Sequence, residues 1–134
     1  MNQPTLGNPQ NTIAVLQKYN FSFQKKFGQN FLIDTHVLDK IIRSAEITKD
    51  DFVLEIGPGI GTMTQYLACA AREVVAVEID KALIPILEDT LSSYDNVTVI
   101  NEDVLKLDIV KLAQERNGAV SYTHLRAHET RRHL

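Results

Sequence analysis

Three short apolar runs punctuate the chain, residues 52–56 (FVLEI), 73–77 (EVVAV) and 97–100 (VTVI). Aliphatic and β-branched runs of this length predict strands buried on both faces of a parallel sheet. Between and before them the apolar positions recur at helical spacing. Met63, Leu67 and Ala68 share one face of a segment starting at Thr62, and Leu83, Ile84, Leu87 and Leu91 share a face of another. Asp80 reads as the cap of that second helix, with Pro85 close enough to its first turn to be tolerated. Upstream, Asn8-Pro9 predicts a cap and first helical residue ahead of Ile13 and Leu16, and Asp34 caps a helix over residues 35–45 with Leu38, Ile41 and Ile42 inward. Leu105, Leu107 and Leu112 read as further core, as does Cys69 among its alanines, while His36 reads as a partly exposed surface residue.

Strand and helix alternate from residue 52 onward, which predicts an α/β fold with a parallel sheet. The first strand runs into Gly57, Gly59 and Gly61, followed at once by a helix start. Glycines at alternate positions allow positive φ and let the backbone approach a ligand closely. A dinucleotide turn would read G-x-G-x-x-G, with a helix N-terminus for the pyrophosphate. Here Thr62 stands where its third glycine would be, and the spacing is G-x-G-x-G behind acidic Glu55. That form resembles the S-adenosylmethionine turn of class I methyltransferases, whose fold is Rossmann-like.

The second run delivers Glu78 at its carboxyl end, where open α/β sheets bind ligands. A carboxylate there can accept hydrogen bonds from both hydroxyls of a ribose. The third run is followed by Asn101, Glu102 and Asp103 at the equivalent end, and Asp103 could receive the exocyclic amine of an adenine. A glycine turn, or an acidic residue after a strand, is commonplace alone. In this order and at βαβ spacing the set predicts a nucleoside-cofactor site.

Residues 25–32 read KKFGQNFL, and Phe21, Phe23, Phe27 and Phe31 crowd around them, four of the five phenylalanines in the chain. Interleaved basic and aromatic residues can hold phosphates and stack on bases. The same residues could equally be a hydrophobic staple that packs the N-terminal segment onto the domain.

K-x-F-G-Q-N-F-L ahead of E-I-G-P-G-x-G-x-x-T resembles the ribosomal RNA adenine dimethylase family, over roughly residues 6–118. Within it, Gly28 and the run Ile60-Gly61-Thr62-Met63-Thr64 look closer to the small-subunit enzymes than to the large-subunit resistance methylases. The resemblance implies S-adenosylmethionine as cofactor, held by Asn30, Leu32, Gly57, Glu78 and Asp103, with Glu55, Gly59, Gly61 and Val104 as possible additions. It places Lys25 and Lys26 toward RNA. The implied activity is N6 dimethylation of two adjacent adenines in small-subunit ribosomal RNA, on a pre-30S particle, by a cytoplasmic enzyme that is monomeric when complete. The alternatives are a large-subunit ribosomal RNA adenine resistance methylase and a non-catalytic cofactor- or RNA-binding piece. Family members accept the adenine amine with an N-L-P-Y motif after the fourth strand. No such run follows Asn101, so no catalytic residue is expected in this chain.

The departure begins near Val120, where the sequence turns to VSYTHLRAHETRRHL. Part of it, SYTHLRAHET, resembles translated adaptor sequence, and on that reading residues 120–134 carry no function. The other reading is a natural basic extension touching nucleic acid through Arg126, Arg131 and Arg132. His124 and His128 stand four apart, a metal-ligand spacing on a helix, but the arginines around them oppose a cation and no metal site is expected. The expected organisation is a helical arm over 1–51, a partial Rossmann-like domain over 52–119 truncated after about three strands, and a non-native tail over 120–134. The first strand would then keep an unpaired edge, and a poorly soluble or partly molten chain would follow.

Composition adds limits. The 134 residues suffice for one small domain, and the net charge of −3 opposes a surface generally coated for nucleic acid. No apolar run approaches the ~20 residues of a membrane span. One cysteine excludes an intramolecular disulfide.

Overall fold

The computed structural model describes residues 3–20, 34–116, 120–126 and 129–130, the last two stretches by their backbone. Its elements are α1 (Pro9–Lys18), α2 (Thr35–Ser44), β1 (Phe52–Ile56), α3 (Thr62–Ala70), β2 (Glu73–Glu78), α4 (Ile84–Thr90), β3 (Val97–Asn101), α5 (Ile109–Glu115), β4 (Val120–Arg126) and β5 (Glu129–Thr130). Single 3-10 turns at Lys81–Leu83 and Val104–Lys106 precede α4 and α5.

Side-chain chemistry starts the helices where expected. Asn8, Asp34 and Asp80 each accept a hydrogen bond from the backbone N–H two residues on, and Pro9 opens α1. Asp80 caps the 3-10 turn, and α4 follows with Pro85 in its first turn. At the other end of α3, Asn96 Nδ2 donates to the Ala68 carbonyl at 2.9 Å and so satisfies a helix-end acceptor.

The sheet order is β3-β2-β1-β4-β5, with β3, β2, β1 and β4 parallel and β5 antiparallel to β4. The chain moves outward from β1 through β2 to β3, then returns to the far side of β1. That reversal creates a topological switch point beside the carboxyl end of β1.

The three expected strands are all present, but the bare edge on β1 is not. Phe52 through Ile56 pair in parallel register with Val120 through His124. Ladder bonds use backbone groups, so a β-prone stretch such as VSYTHLR can supply them whatever its origin. Pairing covers the edge of β1 that the sequence was expected to leave bare. It also places His124 on a strand, so the helical spacing to His128, which lies outside the described residues, does not arise.

Side chains alternate across β1. Val53 joins Leu6, Leu38, Ile60, Met63, Leu67, Ala68, Leu83, Ile86 and Leu87 in one core. Phe52 and Leu54 join Val75, Val77 and Ala113 in another, against which Val104, Leu107 and Leu112 are partly buried. The two cores make a three-layer α/β/α arrangement, and the N-terminal helices share the first core with the sheet. Full burial of each large aliphatic side chain contributes about 1.5–3 kcal/mol. Cys69 and Ile42 are partly buried against that core. Leu105 corrects the expectation made for it: it is 90% exposed, because its 3-10 turn packs Val104 partly against the core instead.

Residues 3–20 dock through polar contacts as well. Gln65 on α3 accepts from the Thr5 and Leu6 N–H groups at 2.9 and 3.0 Å and donates to the Thr90 carbonyl at 2.9 Å. Lys18 Nζ and Tyr19 Oη both donate to Asp89 Oδ2 on α4. No helix among the described residues is long and apolar enough to cross a membrane.

Candidate functional site

The site lies at the carboxyl ends of β1, β2 and β3. Gly57, Gly59 and Gly61 take φ of 72°, 64° and 98°, left-handed conformations that side chains strain to adopt. Gly57 N–H donates to the Val77 carbonyl at 2.9 Å and seats the turn on β2, while Gly61 N–H closes it on Pro58 O at 2.9 Å. A Cβ on Gly61 would also stand 2.9 Å from Thr90 Oγ1 and 3.3 Å from Leu87 Cδ2. Gly61 is the cap residue of α3 and offers no side chain to its N-terminal amides. Those donors and the positive end of the helix face the turn.

Glu78 closes β2 and is 3% exposed. Its Oε1 accepts from Gly59 N–H at 3.1 Å and its Oε2 from Asp80 N–H at 2.9 Å. Two carboxylate oxygens carry about four lone-pair sites, so acceptor capacity is left for a ligand. Burial raises the carboxyl above its ordinary range, opposed by the two amides.

Glu55 stands on the α3 side of β1 and is fully buried. Thr64 Oγ1 donates to its Oε1, whereas Oε2 has no partner. Burial, opposed by the Thr64 hydroxyl and reinforced by nearby Glu78, pushes the carboxyl up to about 7. Thr62 Oγ1, at the first position of α3, is also buried without a partner. Two such atoms, at the end of β1 and the start of α3, suit a polar ligand able to donate hydrogen bonds there.

On β3, Asn101 Nδ2 donates to the Glu78 carbonyl at 2.8 Å and ties the two strand ends together. Asp103 is half-buried, and its Oδ1 accepts from Leu105 N–H at 2.9 Å. Val104 turns its side chain to the second core, leaving its backbone to the site. The structure therefore brings Glu55, Gly57, Gly59, Gly61, Glu78, Asp103 and Val104 to one end of the sheet. Asn30, Leu32, Lys25 and Lys26 lie outside the described residues.

Sequence reasoning missed Ile79 here and gave Thr64 and Asn101 no role. Ile79, directly after Glu78, is 52% exposed and offers an apolar face at the rim. Its signal was an aliphatic residue just past the strand. Thr64 and Asn101 act through non-local partners and left no local signal.

Comparison with known proteins agrees with this geometry. The family model described as ribosomal RNA adenine dimethylase matches residues 20–133. Ribosomal RNA small subunit methyltransferase A of Lachnoclostridium phytofermentans is 79% identical over 114 residues, covering 84% of this chain and 39% of that protein. The protein of the same name from Clostridioides difficile is 55% identical over 108 residues, 80% of this chain and 37% of its own. The chain thus spans well under half the length of these relatives. Among solved structures, the 23S rRNA methyltransferase ErmE aligns with a TM-score of 0.58 and 32% identity over 71% of this chain and 47% of its own. A dimethyladenosine transferase from Plasmodium falciparum aligns with a TM-score of 0.54 and 27% identity over 68% of this chain and 42% of its own. The fold is the Rossmann-like one of S-adenosylmethionine-dependent methyltransferases, whose donor the orphaned Glu55 and Thr62 oxygens suit. With turn, carboxylate and switch point in the places the family model also matches, the chain belongs to the ribosomal RNA adenine dimethylase family.

Proposed function

We propose that this chain binds S-adenosylmethionine between the glycine turn and Glu78, and forms the donor half of an enzyme that dimethylates N6 of two adjacent adenines in small-subunit ribosomal RNA. The Glu78–Gly59 hydrogen bond carries the reading, because it fixes a buried carboxylate against the glycine turn at the switch point. Glu78 would accept the ribose hydroxyls, Asp103 with the Val104 backbone the adenine amine, and the α3 N-terminus with Gly57 the remaining polar groups. Asn30 and Leu32 would close the pocket from the arm, and Lys25 and Lys26 would face RNA.

When bound, the cofactor supplies an activated methyl group on a sulfonium. An adenine amine is a poor nucleophile because its lone pair is delocalised into the ring, so the acceptor needs hydrogen bonding and close positioning. The N-L-P-Y residues that do this in the family are not in this sequence. This chain's part is binding and orienting the donor. The identity of 79% to a small-subunit enzyme, against 32% to the 23S enzyme ErmE, favours the small-subunit target over the large. With that target the proposed partner is a pre-30S particle in the cytoplasm, and the proposed complete enzyme is monomeric.

Calorimetric titration tests the donor reading. S-adenosylmethionine should give saturable heat with the folded chain and NADH none. Heat with NADH alone, or with neither, would reject it.

A further inference from the structure

Two buried carboxylates stand close enough at the glycine turn to act on each other electrostatically. Glu55 arrives on β1 and Glu78 on β2, and α3 covers Glu55 through the Thr64 hydroxyl. The pair is unequal. Both oxygens of Glu78 accept backbone N–H bonds, which stabilise its ionised form. Glu55 has one hydroxyl on Oε1, nothing on Oε2 and no exposure to solvent. An ionised carboxylate with one donor, out of water and beside a second carboxylate, is costly, and such a group takes up a proton instead.

Among the described residues, Thr64 from α3 and Glu78 from β2 are the groups acting on Glu55, and Glu78 is the one that titrates. Neither offers it a positive charge.

We propose that Glu55 holds a proton in the ligand-free chain and releases it to solvent when the positive charge of the cofactor enters the turn, so that binding selects for charge as well as for the nucleoside. The inference rests on the S-adenosylmethionine reading of the site. The O–H bond on Oε2 breaks, its electron pair stays on the carboxylate, and the proton goes to buffer. What remains is a carboxylate facing a cation. A neutral nucleoside thioether filling the same pocket gives Glu55 no reason to ionise.

The sign follows from linkage. Burial puts the Glu55 carboxyl at about 7. Below that pH the cation must displace a proton, and above it the carboxylate is already formed. Affinity for the cofactor should therefore rise roughly tenfold between about pH 6 and 8 and level off above.

The experiment is titration of the 134-residue chain at about pH 6.5 in two buffers of different ionisation enthalpy, with S-adenosylmethionine and separately with 5′-methylthioadenosine. Expected is net proton release with the cation and none with the neutral thioether. Glu55→Gln, which keeps an acceptor for Thr64, should show buffer-independent heat and an affinity flat across the same pH range. Cofactor binding with no proton release in the unmodified chain would overturn the inference and leave the donor site standing. Absence of any cofactor binding would remove the donor reading itself, and the inference with it.

Discussion

Gln65→Leu is expected to lower the unfolding free energy by about 3 kcal/mol, with leucine filling nearly the same space so that no cavity contributes. Gln65 is 2% exposed and uses its whole amide. Its oxygen accepts from Thr5 and Leu6 N–H, and its nitrogen donates to the Thr90 carbonyl and to Thr5 Oγ1. Leucine leaves the buried Leu6 donor without a partner, at about 1–3 kcal/mol, and adds the smaller loss of the part-buried Thr5 and Thr90 bonds. The loss should be local first. Thr5 and Leu6 lead into α1, so amide exchange along Pro9–Lys18 should accelerate more than in β1 or β2. Thr90 also donates through Oγ1 to the Ile60 carbonyl at 2.7 Å, which joins the same network to the glycine turn. Chemical denaturation checks the magnitude. A drop below about 1 kcal/mol would show that residues 3–20 are held by apolar contacts rather than by this amide.

Glu78→Ala is expected to weaken S-adenosylmethionine binding by about 2–3 kcal/mol, roughly 30- to 150-fold. The substitution removes acceptors for the ribose hydroxyls and also frees the Gly59 and Asp80 amides that the carboxylate holds at 3.1 and 2.9 Å. Loss of those two bonds loosens the turn. Loss of a buried charge partly offsets their cost to folding, since burial already raises the carboxyl of Glu78. Binding should therefore suffer more than stability, and Glu78→Gln, which keeps one acceptor and the shape, should fall between. Equal affinity for Glu78→Ala and the unmodified chain, measured by titration, would take Glu78 out of the site.

What the sequence made legible is what local chemistry decides. The run FVLEI, short and bounded by a glycine turn, reads as a buried strand, and Gly57, Gly59 and Gly61, with Thr62 where a dinucleotide turn has its third glycine, defined a turn whose positive φ angles are found at those three residues. The caps at Asn8, Asp34 and Asp80 act within two residues, so their signals survive in one dimension. Leu105 misled because an apolar residue in a 3-10 turn can face either way, and Val104 took the inward position. The partner of β1 was hidden for a different reason. Parallel pairing of Phe52 with Val120 depends on a return across the sheet, and ladder bonds leave little trace in side-chain identity. Likewise Gln65, some sixty residues from Thr5, looks in sequence like one more polar helix residue.

Amide chemical-shift mapping of the ¹⁵N-labelled chain during addition of S-adenosylmethionine tests the central claim most directly, because it asks where the ligand sits as well as whether it binds. The account predicts the largest shifts at Gly57, Gly59, Gly61, Glu78, Ile79, Asp103 and Val104, with Glu73 and Val97 at the amino ends of their strands unmoved. Shifts centred away from the glycine turn, or saturable binding that leaves Gly59 and Glu78 unchanged, would contradict it.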